Sequence, residues 1–213
     1  KLLDSKGMTG LAYWDNGFKQ MSANKKLVAP ADYKGLKFRI QSSKVLEAQF
    51  RTLGSIPQIM AFSEVYQALQ TGVVDGCENT PSNYLTQKFH EVQKHITVSY
   101  HAHLQYAVIV NTKFWNGLPP DIRKELDKAM AEATDYTNSI AQKENADALA
   151  AIKASGKTTL HYLTPEQKLA WQKAMAPTYK WAKGRVGQEV LDLLAKELDV
   201  PGIDPADIEL TVE

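Results

Sequence analysis

From Pro119-Pro120-Asp121 onward, Ile122, Leu126, Met130, Ala133, Tyr136 and Ile140 recur at helical spacing up to about Ser155, where Gly156 supplies a stop. At a rise of about 1.5 Å per residue such a helix is on the order of 50 Å long, more than one compact lobe spans. The pattern therefore predicts a helix that runs along two lobes and forms a backbone for the molecule. It is studded with Lys, Glu and Asp, and no apolar run in the chain approaches the length needed to cross a bilayer.

Ahead of that helix, strand-like and helix-like stretches alternate. Residues 10–14 read as a strand turning at Asn16-Gly17, a pair favoured in tight hairpins, with a second strand near 18–22. Leu36, Phe38 and Ile40 alternate along the next strand, which points Arg39 the other way. Leu46, Phe50 and Leu53 mark a short amphipathic helix stopped by Gly54. Residues 56–61 suit a strand, Ser63 an N-cap, and Val65, Leu69 and Val73 one helical stripe. A short crossing at 74–79, a helix carrying Leu85, Phe89, Val92 and Ile96, and a strand at 106–110 follow. The rhythm predicts an α/β chain with mostly parallel sheets covered by helices. Past the long helix come a strand at 158–162, a capping box at Thr164-Pro165-Glu166-Gln167 and a break at Pro177. A last helix carries Val190, Leu191, Leu194 and Leu198 before Pro201-Gly202.

Charge narrows the partners. Among 213 residues, 25 Lys and Arg face 24 Asp and Glu, a formal charge of +1 that offers no general attraction for a polyanion, so nucleic acid is not an expected partner. The single cysteine, Cys77, excludes an intrachain disulfide framework and leaves the compartment open. Lys1-Leu2-Leu3-Asp4-Ser5 lacks the regions of a signal peptide, which fits either its removal or its absence.

In open α/β sheets ligands sit beyond the carboxyl ends of strands, so the informative residues are those where apolar runs finish. Four places qualify: Trp14 to Lys19 around the expected hairpin, Arg39, Phe62, and Asp75 to Asn79. A guanidinium fork matches a carboxylate, an amide adds a hydrogen bond, and aromatic rings cover a carbon skeleton. That set suits a small organic acid.

Several blocks at these places occur in one order: Tyr13-Trp14-Asp15-Asn16-Gly17-Phe18-Lys19, Gly35-Leu36-Lys37-Phe38-Arg39-Ile40-Gln41, Phe62-Ser63-Glu64-Val65-Tyr66-Gln67-Ala68-Leu69 and Gly72-Val73-Val74-Asp75-Gly76-Cys77-Glu78-Asn79. With Lys88-Phe89-His90-Glu91-Val92-Gln93-Lys94, Lys113-Phe114-Trp115 and Leu118-Pro119, this series resembles the solute-binding proteins of TRAP transporters, DctP type. The resemblance implies a two-lobed fold of the periplasmic-binding-protein kind (type II-like) with a long helix spanning both lobes. One lobe would take residues 1–16 and 105–144, the other 17–104 and 145–213. It implies a monomeric, secreted periplasmic protein without cofactor that closes on an organic carboxylate, with a C4-dicarboxylate the first guess and a monocarboxylate or sugar acid the alternative. Delivery would be to a membrane permease driven by an ion gradient. Carried over by position, Arg39 matches the family's carboxylate-binding arginine, Asn79 its ligand amide and Phe62 its pocket aromatic. Lys19 falls where a second arginine is common, keeping the charge but losing the fork. Trp14 would help Phe62 exclude water. Members of the family also begin with a further strand-and-helix segment, so the resemblance implies that part of one lobe precedes this chain.

Each residue also has a plainer role: a surface ion pair for Arg39, a solvated hairpin lysine for Lys19, core for Phe62, a turn for Asn79. Enzymatic readings find little support. Cys77 as the nucleophile of a cytosolic hydrolase would have Asp75 and Glu78 raising its pKa. Glu64, Asp75 and Glu78 cannot be paired from sequence. His101 and His103 share a strand face without a third ligand at metal spacing, which makes them solvent-facing histidines. No GxGxxG or P-loop pattern supports a nucleotide.

Overall fold

The computed structural model of the protein describes residues 3–197. Two sheets organise it. Strands β1 (Met8–Phe18) and β7 (His103–Asn111) form an antiparallel two-stranded sheet. Strands β2 (Gln20–Ala23), β3 (Lys37–Ile40), β4 (Ile56–Ile59), β5 (Gly76–Asn79), β6 (His95–Val98) and β8 (Thr159–Tyr162) form a second, in the order β4-β3-β5-β2-β6-β8.

Asn16-Gly17 is not a hairpin. β1 runs straight through it, and the register against β7 slips between Asp15 and Gly17, so the pair marks a β-bulge. Gly17 has a φ of +112°, and a Cβ there would lie 2.5 Å from Asn145 Nδ2, so glycine serves both backbone and packing. A positive φ suits a bulge as well as a turn. The chain then passes into the second sheet as β2. It enters at the edge where β5 ends and leaves at the same edge through β6, so β2 must run antiparallel to both. β3 pairs in parallel with β4 and β5, and β6 with β8, so every strand of the larger sheet except β2 runs the same way and that sheet is mostly parallel, as expected; the two-stranded sheet is antiparallel.

The two crossings between sheets are tied together. Lys19 N donates to Ala102 O at 2.8 Å. Gln20 Oε1 accepts from Ser99 N at 2.8 Å and from Tyr100 N at 3.1 Å, while its amide nitrogen donates to Phe18 O.

Helices cover both faces of the larger sheet. On one face, Met21, Phe38 and Ile40 pack with Leu27, Tyr33, Phe50 of α1 (Lys44–Thr52) and Trp171 of α6 (Pro165–Met175). Ser43 caps α1 and the expected Thr164–Gln167 box caps α6. On the other, Cys77 and Ile96 pack with Val65 and Leu69 of α2 (Val65–Gln70), Tyr84 of α3 (Pro81–Thr86), Phe89, and Ile152 near the end of α5 (Pro120–Ala154). Ser63 is not a cap: a short 3-10 turn, Phe62–Glu64, leads into α2, and Glu64 folds back on Ala61 N. Val73 lies beyond α2 and is exposed. The helix expected over Leu85 to Ile96 is three elements, α3, a 3-10 turn at Phe89–Glu91 and β6, broken by a left-handed Lys88 at φ 58°. Phe89 and Ile96 still meet in one core, because a spacing of four to seven can be satisfied by several local conformations.

The 35-residue α5 follows α4 (Thr112–Gly117) and carries proline in its first turn. Thr134 accepts from Trp14 Nε1, Asn138 bonds the Tyr13 and Asp15 backbone, Asn145 donates to Asn16 O at 2.6 Å, and Ile152 enters the core of the larger sheet. It thus touches both lobes, as its length requires. α7 (Pro177–Val186) begins at the expected proline break and α8 (Gln188–Glu197) follows. Leu198 and Pro201-Gly202 lie outside the described residues. Among the described residues no helix is long and apolar enough to cross a membrane.

Candidate functional site

The parallel strands β3, β4 and β5 end along one edge of the larger sheet. Arg39 stands one residue before the end of β3, Asn79 ends β5, and Phe62 follows β4. Paired residues in a sheet share a face, and Arg39 pairs with Cys77, two residues before Asn79. Arg39, Cys77 and Asn79 therefore face the same way, toward α2 and α3.

Arg39 is 2% exposed. Its Nε and Nη2 both donate to the Met60 carbonyl, at 3.2 and 2.9 Å, and its guanidinium lies 5.8 Å from the Phe62 ring centroid. Nη1 is buried and has no hydrogen-bond partner among the described residues. Burial pulls the guanidinium pKa down, while Cys77, Glu78 and Tyr84 oppose the shift. Arginine nevertheless stays charged near neutral pH. One edge of the fork is thus clamped by backbone and the other is held dry with donors unmet, an arrangement whose unmet donor costs about 1–3 kcal/mol or more for a charged group. A carboxylate is the chemical complement of such a fork.

Asn79 is buried, and its Oδ1 accepts from Thr80 N at 2.9 Å and from Asn83 Nδ2 at 2.7 Å. With the oxygen so engaged, the NH2 end is left to donate. Phe62 is partly exposed and meets the buried Phe89 edge to face. Thr80 Oγ1 donates to Asn16 Oδ1 at 2.5 Å, which brings the end of β5 against β1.

Lys19 and Trp14 stand elsewhere. Lys19 lies on the opposite sheet face, in the crossing from β1 to β2, where its ammonium donates to Glu78 at 2.6 Å and to Gln41 at 3.2 Å. Both members of that pair are almost wholly buried. Trp14 belongs to the two-stranded sheet, with its indole N–H on Thr134.

Glu78 and His101 are the residues that sequence reasoning placed differently. Burial pushes the Glu78 carboxyl up, but the His101 hydrogen bond and the Lys19 charge outweigh it and hold the group below the ordinary carboxylate range. His101 is not solvent-facing: its side chain is 4% exposed and its Nε2 lies 3.2 Å from Glu78 Oε2. It precedes β7 rather than belonging to it, so a strand-face reading could not place it. His103 faces Asp15 at 2.8 Å. Glu64 and Asp75 are engaged with backbone, at Ala61 N and Lys37 N. Cys77 is fully buried between Ser22 and Tyr84, and burial raises its thiol to about 11, which removes it as a nucleophile at neutral pH. Hollows of about 680 and 490 Å³ lie away from Arg39, the first beside β1 and β7, the second among α6, α7 and α8.

The family model for bacterial extracellular solute-binding proteins, family 7 (DctP), matches residues 1–184. The C4-dicarboxylate-binding periplasmic protein DctP of Rhodobacter capsulatus is 61% identical over 189 residues, covering 89% of this chain and 57% of the relative. Its counterpart in Shewanella loihica is 46% identical over 188 residues, covering 88% and 56%. Among solved structures, a TRAP periplasmic solute-binding protein of Shewanella oneidensis with bound succinate superposes with a TM-score of 0.88 at 42% identity, covering 90% of this chain and 64% of that one. One of Pseudomonas aeruginosa with bound L-malate gives 0.81 at 43%, covering 84% and 63%. The chain therefore spans little more than half the length of these curated relatives. These relatives are binding proteins rather than enzymes. With most of its length matched by the family model, and its two-lobed α/β architecture matched by theirs, the chain belongs to family 7 of the bacterial extracellular solute-binding proteins.

Proposed function

We propose that this chain forms part of a monomeric periplasmic receptor that captures a small organic carboxylate, first a C4-dicarboxylate, by closing its lobes and hands it to a TRAP-type permease. The observation that carries the reading is Arg39: a buried guanidinium clamped on one edge by the Met60 carbonyl, with Nη1 left unpartnered at the carboxyl ends of parallel strands. In the proposed complex Arg39 anchors one carboxylate, Asn79 donates from its amide, and Phe62 covers the ligand. Trp14 closes over it from the other lobe. Residues 1–16 and 105–144 belong to that lobe, and 17–104 with the described residues from 145 on belong to the lobe of Arg39. Lys19 is reassigned: its charge is already matched by Glu78, so it holds the crossing rather than the ligand.

The test is calorimetry and thermal shift on the complete gene product with succinate, malate, fumarate, a monocarboxylate, a hexuronate and a neutral sugar. A C4-dicarboxylate at about a hundred times its Kd should stabilise the protein by about 2.7 kcal/mol. Arg39→Ala should weaken binding at least about a hundredfold. Arg39→Lys should recover only part of it, because an ammonium lacks the fork. Near wild-type affinity in Arg39→Ala would overturn the anchoring role, and preference for the hexuronate would move the ligand class without touching it.

A further inference from the structure

Two histidines meet on the outer half of the larger sheet. β6 and β8 pair in parallel with His95 opposite Thr159 and Thr97 opposite His161, so the histidines are diagonal neighbours on one face. β8 is the edge strand, and both side chains are partly exposed. His95 Nδ1 and His161 Nε2 are 3.0 Å apart, with ring centroids at 5.1 Å. The chain's other histidines are engaged elsewhere, His90 with Tyr84 O, His101 with Glu78 and His103 with Asp15.

A contact this short between imidazole nitrogens holds one proton, so at least one of the two presents a lone pair to the other. Two imidazole nitrogens bound to one ion at about 2.0–2.1 Å, with an angle between square and tetrahedral, stand about 2.8–3.4 Å apart. His95 and His161 already have that separation. We propose that they form a bidentate site for a divalent late transition-metal ion, Cu²⁺ ahead of Ni²⁺ and Zn²⁺, with water completing the coordination. On binding, the bridging proton moves to the far nitrogen of its own ring, so the neutral pair takes the ion with no net proton loss.

Three observations shape the site. No group of three or more His, Cys, Asp or Glu able to hold a metal occurs among the described residues, so the pair has no third protein ligand of these types. Two nitrogens and solvent suit tetragonal Cu²⁺ better than the closed tetrahedron of structural zinc, in line with the general affinity order. Lys26 is the charged neighbour of His161, a cation rather than a further ligand. The same Lys26 charge repels a cation and limits the affinity.

Untagged protein titrated with CuCl₂ against a glycine competitor, by calorimetry and electron paramagnetic resonance, tests the assignment. One equivalent should bind with hyperfine structure from two imidazole nitrogens. His95→Gln and His161→Gln should each weaken it at least about tenfold and leave one nitrogen. Lys26→Gln should strengthen it by about twofold or more. In wild-type protein, which depends on no variant folding, sub-stoichiometric Cu²⁺ should broaden the His95 and His161 ring resonances before those of other histidines. Equal affinity and an unchanged spectrum in the double variant, or broadening that begins elsewhere, would overturn it.

Discussion

Replacing Glu78 by glutamine keeps the side chain's size but removes the charge facing the Lys19 ammonium at 2.6 Å and His101 Nε2 at 3.2 Å. The Lys19 and Glu78 side chains are 4% and 0% exposed, so solvent cannot rescue the ammonium that remains. Breaking a buried pair by removing one partner destabilises by about 3–5 kcal/mol. Here Gln41 Oε1 still accepts from Lys19 at 3.2 Å, which favours the lower end, about 3 kcal/mol. Urea unfolding followed by circular dichroism on wild type, Glu78→Gln, Lys19→Met and the double variant gives the coupling directly. The double variant should lose no more than the worse single one, since it strands no charge. A Glu78→Gln loss under about 0.5 kcal/mol, or strictly additive single losses, would refute the reasoning. The pH dependence follows in sign. The folded carboxyl sits below its ordinary range, so its contribution is complete above the unfolded value of about 4.3 and fades as pH falls toward the folded value. Glu78→Gln should therefore show a shallower decline in stability below about pH 4.3 than wild type.

Gly76→Ala would place a Cβ 2.2 Å from Ser22 O and 2.8 Å from Phe38 Cζ, and is expected to lower stability by about 3 kcal/mol or more, read from the urea midpoint. Cys77, with its thiol raised to about 11, should react with a thiol-exchange reagent at pH 7 only after denaturant is added; stoichiometric labelling of native protein would contradict its burial. Asn145→Ala removes bonds to Asn16 O and Ser82 N, and should cost about 1–3 kcal/mol in the same unfolding assay.

Where alternation or spacing had only one physical solution, the sequence was sufficient. Phe38 and Ile40 occupy one core and Arg39 the opposite face, and Pro120 to Gly156 frames the long helix. It was insufficient where one local signal serves two geometries. Asn16-Gly17 supplies a positive φ for a bulge rather than a turn, and Leu85 to Ile96 place apolar side chains into one core from a helix, a 3-10 turn and a strand. β5 shows the limit most clearly. Cys77, Glu78 and Asn79 are all buried although two of them are polar, because Ser22, Lys19 and His101 arrive from distant parts of the chain, and Asn83 from the helix that follows, to satisfy them. The Arg39 clamp was equally invisible, since its partner is a backbone carbonyl, which no residue type announces.

The passages at Lys19 and at Ser99 to Ala102 lie side by side and are stitched by Gln20. Two adjacent pivots joined to each other define a line, and α5, bonded to β1 at Asn138 and packed in the core of the larger sheet at Ile152, follows rotation about that line by bending between those two residues. For the lobe closure proposed above, these crossings leave a single coordinate. One spectroscopic ruler, from β7 to β3, would report the whole of that coordinate, and a second placed elsewhere between the two sheets should change in fixed proportion to the first.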